Sequence, residues 1–323
     1  MSVNPCRILH IIYIFFNLYV SRIYEDEERI SLLYTNFGGL RCWGEGSGII
    51  ASRVNTVDPP LLQGSYTCAN VEPFVRHQVK SLYDKDKTIA PKLIKLLYAD
   101  CMVNVIEARC PGVVSCADIL NIAVRDAVYF SGGPSYPVFL GRRDGRKSDA
   151  AWVDLPSPSI SWESALKYFT DKGLNLQDMV TLLGGHMMGR TRCSNILDRL
   201  YDFNKTGKPD PTMEPTTLSI LQKQCPKKVK LGQPNPLINL NPDNPTHKFT
   251  NSYYSRVLAS KSVLGVDQQL LYGPDTHDLT DEYANGLEDF KGGFAYSMSR
   301  MGGLKVLTGK NGEIRKNCHV VNK

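Results

Sequence analysis

His186 closes the stretch of this chain that is richest in chemical possibility. Asp178-Met-Val-Thr-Leu-Leu-Gly-Gly-His186-Met-Met-Gly-Arg190 reads as an amphipathic helix that gives out at two glycines, with one imidazole at its end. Met179, Leu182 and Leu183 recur at helical spacing as an apolar face. Asn175 reads as the N-cap, and Asp178 places negative charge in the first turn, where the helix dipole favours it. Gly184 and Gly185 are expected to leave room beside the ring for something bulky and flat. A histidine beside an apolar face is more often a satisfied core residue than a ligand, so its role depends on its company. Asp267, in Val266-Asp-Gln-Gln-Leu270, reads by itself as a cap, the commoner role of an isolated aspartate at a helix start.

Further motifs follow in a fixed order: Cys110-Pro-Gly-Val-Val-Ser-Cys-Ala-Asp-Ile-Leu120, Gly141-Arg-Arg-Asp-Gly145, Leu155-Pro-Ser-Pro158, the Gly-Gly-His186 segment, Asp210-Pro211, Val266–Leu270 and Gly312-Glu-Ile-Arg-Lys-Asn-Cys318. Together, from about Thr67 to Cys318, they closely resemble the secreted plant haem peroxidases (class III). The resemblance implies an all-α haem-peroxidase fold and a haem b cofactor. It also implies reduction of hydrogen peroxide with one-electron oxidation of small phenolic donors. It assigns the axial iron ligand to His186 and the carboxylate that makes this imidazole strongly basic to Asp267. Arg192 falls where a residue meets a haem propionate, and Pro156 falls at the aromatic-substrate contact on the haem edge.

The peroxide side departs from the family. There the distal helix reads Arg-Leu-His-Phe-His-Asp-Cys-Phe-Val; here the same register reads Lys95-Leu-Leu-Tyr-Ala-Asp-Cys-Met-Val103. The proton-shuttling histidine is Ala99, and the arginine that stabilises departing charge is Lys95. Proton transfer by such a group is worth about 10²–10⁴-fold in rate, so impaired activity is expected. The alternative is a catalytically inactive secreted haem-binding or structural pseudo-peroxidase. After Asn104 the chain jumps to Val105-Ile-Glu-Ala-Arg-Cys110, omitting several dozen residues of the family pattern. Of the distal calcium ligands only Asp100 and the Val103 carbonyl match. On the proximal side Met187 and Thr250 stand where the family has threonine and aspartate. A hard cation wants six to eight oxygens, so calcium is expected to bind weakly or not at all.

Nine cysteines and no Cys-x-x-Cys pair argue against zinc and for disulfides in an oxidising compartment. The resemblance implies Cys116–Cys318, Cys193–Cys225 and Cys68–Cys110, leaving Cys6, Cys42 and Cys101 over. Ile8 to Val20 is an apolar run too short to span a bilayer and suited to a signal-peptide core, so secretion to the cell wall or vacuole is expected, with no membrane span. Asn204-Lys-Thr206 is an acceptable glycosylation sequon. The net charge of +6 is scattered rather than striped, which argues against nucleic-acid binding. A monomer is the default.

The elements that must position these groups are helices. The pattern predicts a signal-like segment over 1–21, unmatched and disordered sequence over 22–64, and one domain over 65–323. Helices are expected over 72–82, 87–103, 115–130 with a Ser115 cap, 162–172, 176–187, 194–201, 215–224 and 249–260. A last long helix is expected behind an N-cap at Thr280, with Tyr283, Leu287, Phe290, Phe294, Met298 and Met301 on one side. No alternating run exceeds a few residues and no repeat is present, so strand content should be very small.

Overall fold

The computed structural model describes residues 62–63, 71–99, 112–147, 155–228, 234–318 and 320–322. Helices α1 (Val71–Lys85), α2 (Ile89–Ala99) and α3 (Cys116–Phe130) form one layer, with α1 and α2 both packed on α3. Ser115 starts α3 by accepting from the Asp118 amide, 3.1 Å away. From Cys116 to Val128 every described α3 side chain except Ala117 is buried, Asp118 and Asp126 included. A buried carboxylate is tolerated only when paired and hydrogen-bonded. Asp118 meets Arg142 at 2.7 Å and accepts from the Gly141 amide at 2.7 Å.

The Gly141–Gly145 motif is therefore architectural. Asp144 accepts from the first amides of α3, Cys116 and Ala117, each at 3.1 Å, and from the Arg315 amide at 3.0 Å. This ties the C-terminal segment to α3 beside the Cys116–Cys318 disulfide. A second disulfide joins Cys193 to Cys225.

The other layer comprises α4 (Trp162–Asp171), α5 (Leu176–Leu183), α6 (Leu197–Tyr201), α7 (Pro215–Gln224), α8 (Ser252–Leu258), α9 (Gly265–Gln268), α10 (Pro274–Asn285) and α11 (Leu287–Met301). Here α5 packs on α4, α10 and α11, and α8 packs on α10. Phe290 of α11 sits at the centre of this layer. Its ring lies 4.9 Å from those of Phe249 and Tyr254 and 5.7 Å from that of Phe294, so truncation to alanine should cost about 3–5 kcal/mol. The strands are short antiparallel pairs, β1 (Leu62–Gln63) with β2 (Phe139–Leu140) and β3 (Arg190–Arg192) with β4 (Leu237–Asn239). The mostly helical class holds.

Several boundaries differ from expectation. The last long helix is two, broken at Gly286, where φ −120° and ψ 90° leave the helical region. Thr280 is not an N-cap; it is fully buried inside α10, which begins behind Gly273 with Pro274. The period carries through the break because both helices bury the same side. The stretch over 194–201 divides into a 3₁₀ turn (Cys193–Ile196) and α6, and 249–260 shortens to α8. Asn204 of the sequon is exposed with φ 52°, a left-handed conformation asparagine tolerates. Among the described residues no helix is long and apolar enough to cross a membrane.

Candidate functional site

The helix carrying His186 is fixed at both ends. Asn175 and Asp178 form a reciprocal capping box, each side chain accepting from the other's backbone N–H at 2.9 Å. Asp178 is also held by Arg300 at 2.5 Å and by the Ser297 hydroxyl at 2.9 Å, so α5 is pinned to α11 through a fully buried carboxylate. After Leu183 the helix tightens into a 3₁₀ turn, Gly184–Met187, that turns His186 out of the α-helical path.

The two glycines act differently. A Cβ on Gly184 would collide with the Tyr254 hydroxyl and would meet the Phe290 ring at 2.8 Å. Its bareness serves this aromatic packing, which corrects the expectation that both glycines make room beside the ring. A Cβ on Gly185 would be accommodated, meeting only Ile94 of α2 at an ordinary contact distance of 3.8 Å.

His186 Nδ1 lies 2.8 Å from Asp267 Oδ1, and Asp267 is 2% exposed. The Tyr253 hydroxyl donates to the same oxygen at 2.9 Å. Burial works against a charged imidazole, but Asp267, by its charge and then its hydrogen bond, outweighs this and raises the His186 pKa. Lys95 of α2 pulls the other way, which places its ammonium within electrostatic reach of the ring. Tyr253 stays a neutral donor, since burial and then the Asp267 charge push its pKa well up. With Nδ1 engaged, Nε2 is the free nitrogen. About 31% of the His186 side chain remains accessible. This donor set, one basic imidazole backed by a buried carboxylate, fits a haem iron.

Asp267 is itself positioned by a residue that sequence reasoning missed. Arg199, 1% exposed, pairs with Asp210 at 2.7 Å and donates to the carbonyls of Ser262, Val263 and Leu264 at 2.5, 3.2 and 3.0 Å. Its remaining amine reaches Gln268 at 3.2 Å. One guanidinium thus clamps the turn leading into α9. Asp210 is visible in the sequence as part of a motif; nothing local marks Arg199 or Tyr253.

A sequence profile of the family described as Peroxidase matches residues 104–286, a span that contains His186, Asp267, Arg192 and Pro156. Probable peroxidase 26 of Arabidopsis thaliana is 54% identical over 79% of this chain and 87% of that protein. The chain belongs to the plant secretory peroxidase family. Probable peroxidase 61 of the same plant is 51% identical over 79% and 86% of the two chains, and its peroxidase 57 is 35% identical over 80% and 91%. As a peroxidase of this family it is a haem enzyme by descent, with hydrogen peroxide as acceptor.

Other expected positions are dispersed around this centre. Pro156 is half-buried in a loop docked beside the Asp267 turn, where the Val266 amide donates to the Pro158 carbonyl at 2.8 Å. Arg192 is buried in β3 and donates to the Asn235 carbonyl at 2.8 Å. Ala99 ends α2. The side chains of 96–99, together with Asp100, Val103, Cys68, Cys101, Cys110 and the Asn104–Val105 junction, lie outside the described residues, as does everything before Leu62.

The loop around the expected proximal calcium position is closed by its own hydrogen bonds. The carbonyls of Met187 and Lys248 already accept from the Asn244 side-chain amide, and the Thr250 backbone N–H lies 3.4 Å from the Met187 thioether.

Proposed function

We propose that this chain holds haem b on His186 Nε2 and works as a peroxidase whose peroxide-cleaving side is impaired. The observation that carries this reading is the His186–Asp267–Tyr253 array at 2.8 and 2.9 Å. Bound haem supplies the redox chemistry, taking two oxidising equivalents from hydrogen peroxide and passing them singly to phenolic donors. The protein's part is to hold and tune it. Asp267 keeps the Nδ1 proton in place and makes Nε2 a strong donor; Arg192 serves a propionate, and the Pro156 loop borders the edge where a small phenol approaches.

On the opposite side Ala99 has no atom able to take a proton from peroxide or return it to the leaving oxygen. Lys95 offers an ammonium without the planar fork of an arginine. The expected loss is about 10²–10⁴-fold in the peroxide step. The second reading, a secreted pseudo-peroxidase that carries haem without turnover, is favoured by Ala99 alone. Two formed disulfides support an extracellular or vacuolar destination; the reading takes residues 65–323 as a single domain and the protein as a monomer. Calcium at Asp100 and the Val103 carbonyl is weak or absent.

Absorption spectroscopy of the purified protein decides among these. A Soret band that disappears in His186→Ala supports the ligand assignment; undiminished pigment uptake in that variant refutes it. Addition of hydrogen peroxide should change the wild-type spectrum slowly, and the double variant Ala99→His, Lys95→Arg should accelerate the change at least about 100-fold. A prompt wild-type change would overturn the impairment.

A further inference from the structure

We infer that Asn244 replaces a metal ion as the tie that holds the His186 turn, so the haem-bearing side of this protein is set without calcium. Met187 follows His186 directly, and its side chain is fully buried. Its carbonyl accepts one amide N–H of Asn244 at 3.0 Å, while the other N–H goes to the Lys248 carbonyl at 2.6 Å. Asn244 Oδ1 accepts in turn from the Lys248 backbone N–H at 3.1 Å, and the side chain is 6% exposed. Both donors of the amide and its acceptor are thus engaged, across 57 residues of sequence.

The surrounding loop is closed by similar bonds. Asn241 donates to the Ser252 hydroxyl at 2.9 Å and accepts from the Asp243 amide at 3.2 Å. The Thr250 hydroxyl accepts from the Ser252 amide at 3.2 Å, and the Phe249 amide reaches the Ser131 carbonyl at 2.8 Å.

A hard cation and an N–H donor compete for the same carbonyl lone pairs, and the positive hydrogens of an amide repel a cation placed among them. Positions 187 and 250 add a thioether and a hydroxyl, whereas a calcium ion wants oxygen and negative charge. The tie is neutral and part of the chain, so it neither dissociates nor responds to calcium supply. Asn244 acts here as a positioning residue, through the Met187 carbonyl, on the ring next door.

The inference rests on His186 as the iron ligand for its spectroscopic arm only. In the wild-type protein, excess EDTA or millimolar calcium should leave the melting temperature unchanged, and terbium should gain no luminescence sensitised by Tyr253 and Tyr254. A calcium-dependent shift or a terbium signal that calcium competes away overturns the inference. Asn244→Leu keeps the volume and removes the bonds. It should lower the melting temperature by about 4–8 °C and move or broaden the ferrous iron–histidine stretching band. An unchanged band with an unchanged melt refutes the tie. Should this variant not accumulate, Asn244→Ser, which retains one donor, is expected to give a smaller shift of the same kind. A protein that takes up no haem sinks the His186 assignment and leaves the melting and terbium measurements readable.

Discussion

Asp267→Asn and Tyr253→Phe together measure how the proximal carboxylate divides its charge. Both hydrogen bonds converge on Oδ1, at 2.8 Å from His186 and 2.9 Å from Tyr253, inside a group only 2% exposed. Asn keeps an oxygen acceptor of the same shape and removes the charge. A partner of this kind is worth about 10–100-fold in metal affinity, or roughly 1.4–2.7 kcal/mol. Confined to the ferric form, that loss would raise the ferric/ferrous potential by about 59–118 mV, at 59 mV per tenfold for one electron. Tyr253→Phe does the opposite: it removes a competing donor of about 1 kcal/mol and leaves more of the carboxylate to His186, so the potential should fall. Spectroelectrochemistry and haem titration read both effects on the same protein. Equal shifts of the same sign in the two variants, or no loss of haem affinity in Asp267→Asn, would refute a carboxylate shared between the two donors.

Arg199→Met should destabilise the fold by about 3–5 kcal/mol, because Asp210 is left buried without its partner; chemical denaturation measures this, and haem affinity should fall as the Asp267 turn loosens. Replacing both Cys193 and Cys225 by serine opens a loop of sequence separation 32 and should cost about 3–4 kcal/mol in the same assay, an unchanged midpoint counting against the bond. Glu214 accepts from the Thr216 and Thr217 amides at the start of α7, which lowers its pKa from 4.5 to about 2. Its stabilising contribution is present above pH 4.5 and lost as pH falls toward 2, so Glu214→Gln should be less stable than wild type at neutral pH and equal to it near pH 2.

Sequence legibility follows the range of the interaction. The Asn175 cap and the Ser115 cap each act within three residues, and a local pattern discloses them. His186 and Asp267 stand 81 residues apart, yet each lies in its own motif, so both can be named from sequence and are found in contact. Tyr253, Arg199 and Asn244 lie outside any such signal. Arg199 reaches carbonyls 63 to 65 residues away, and no periodicity records which backbone a buried guanidinium will meet. The Thr280 error has the converse cause: an apolar period reports the face an axis buries and is silent about a bend that preserves that face. Gly184 misleads because a missing Cβ can admit a ligand or a neighbouring ring, and only the position of Tyr254 and Phe290 distinguishes the two.

The same geometry explains how one side of the site can change without disturbing the other. The groups that fix His186 and Asp267, from the Asn175 capping box through Arg199, Asn244 and Tyr253 to Arg300, all come from the layer built on α5, α8 and α11 or from its loops. Among the described side chains, helix α2 meets the His186 segment at Ile94, beside Gly185, and at Pro91, beside Gly189, and the charge of Lys95 acts on the ring. Apolar contacts of this kind tolerate substitution, since they depend on volume more than on a particular donor or acceptor. On the proposed reading, alanine at position 99 and lysine at 95 therefore change the chemistry of the peroxide side without unseating the imidazole. For that reason restoring histidine and arginine on α2 tests catalysis rather than folding.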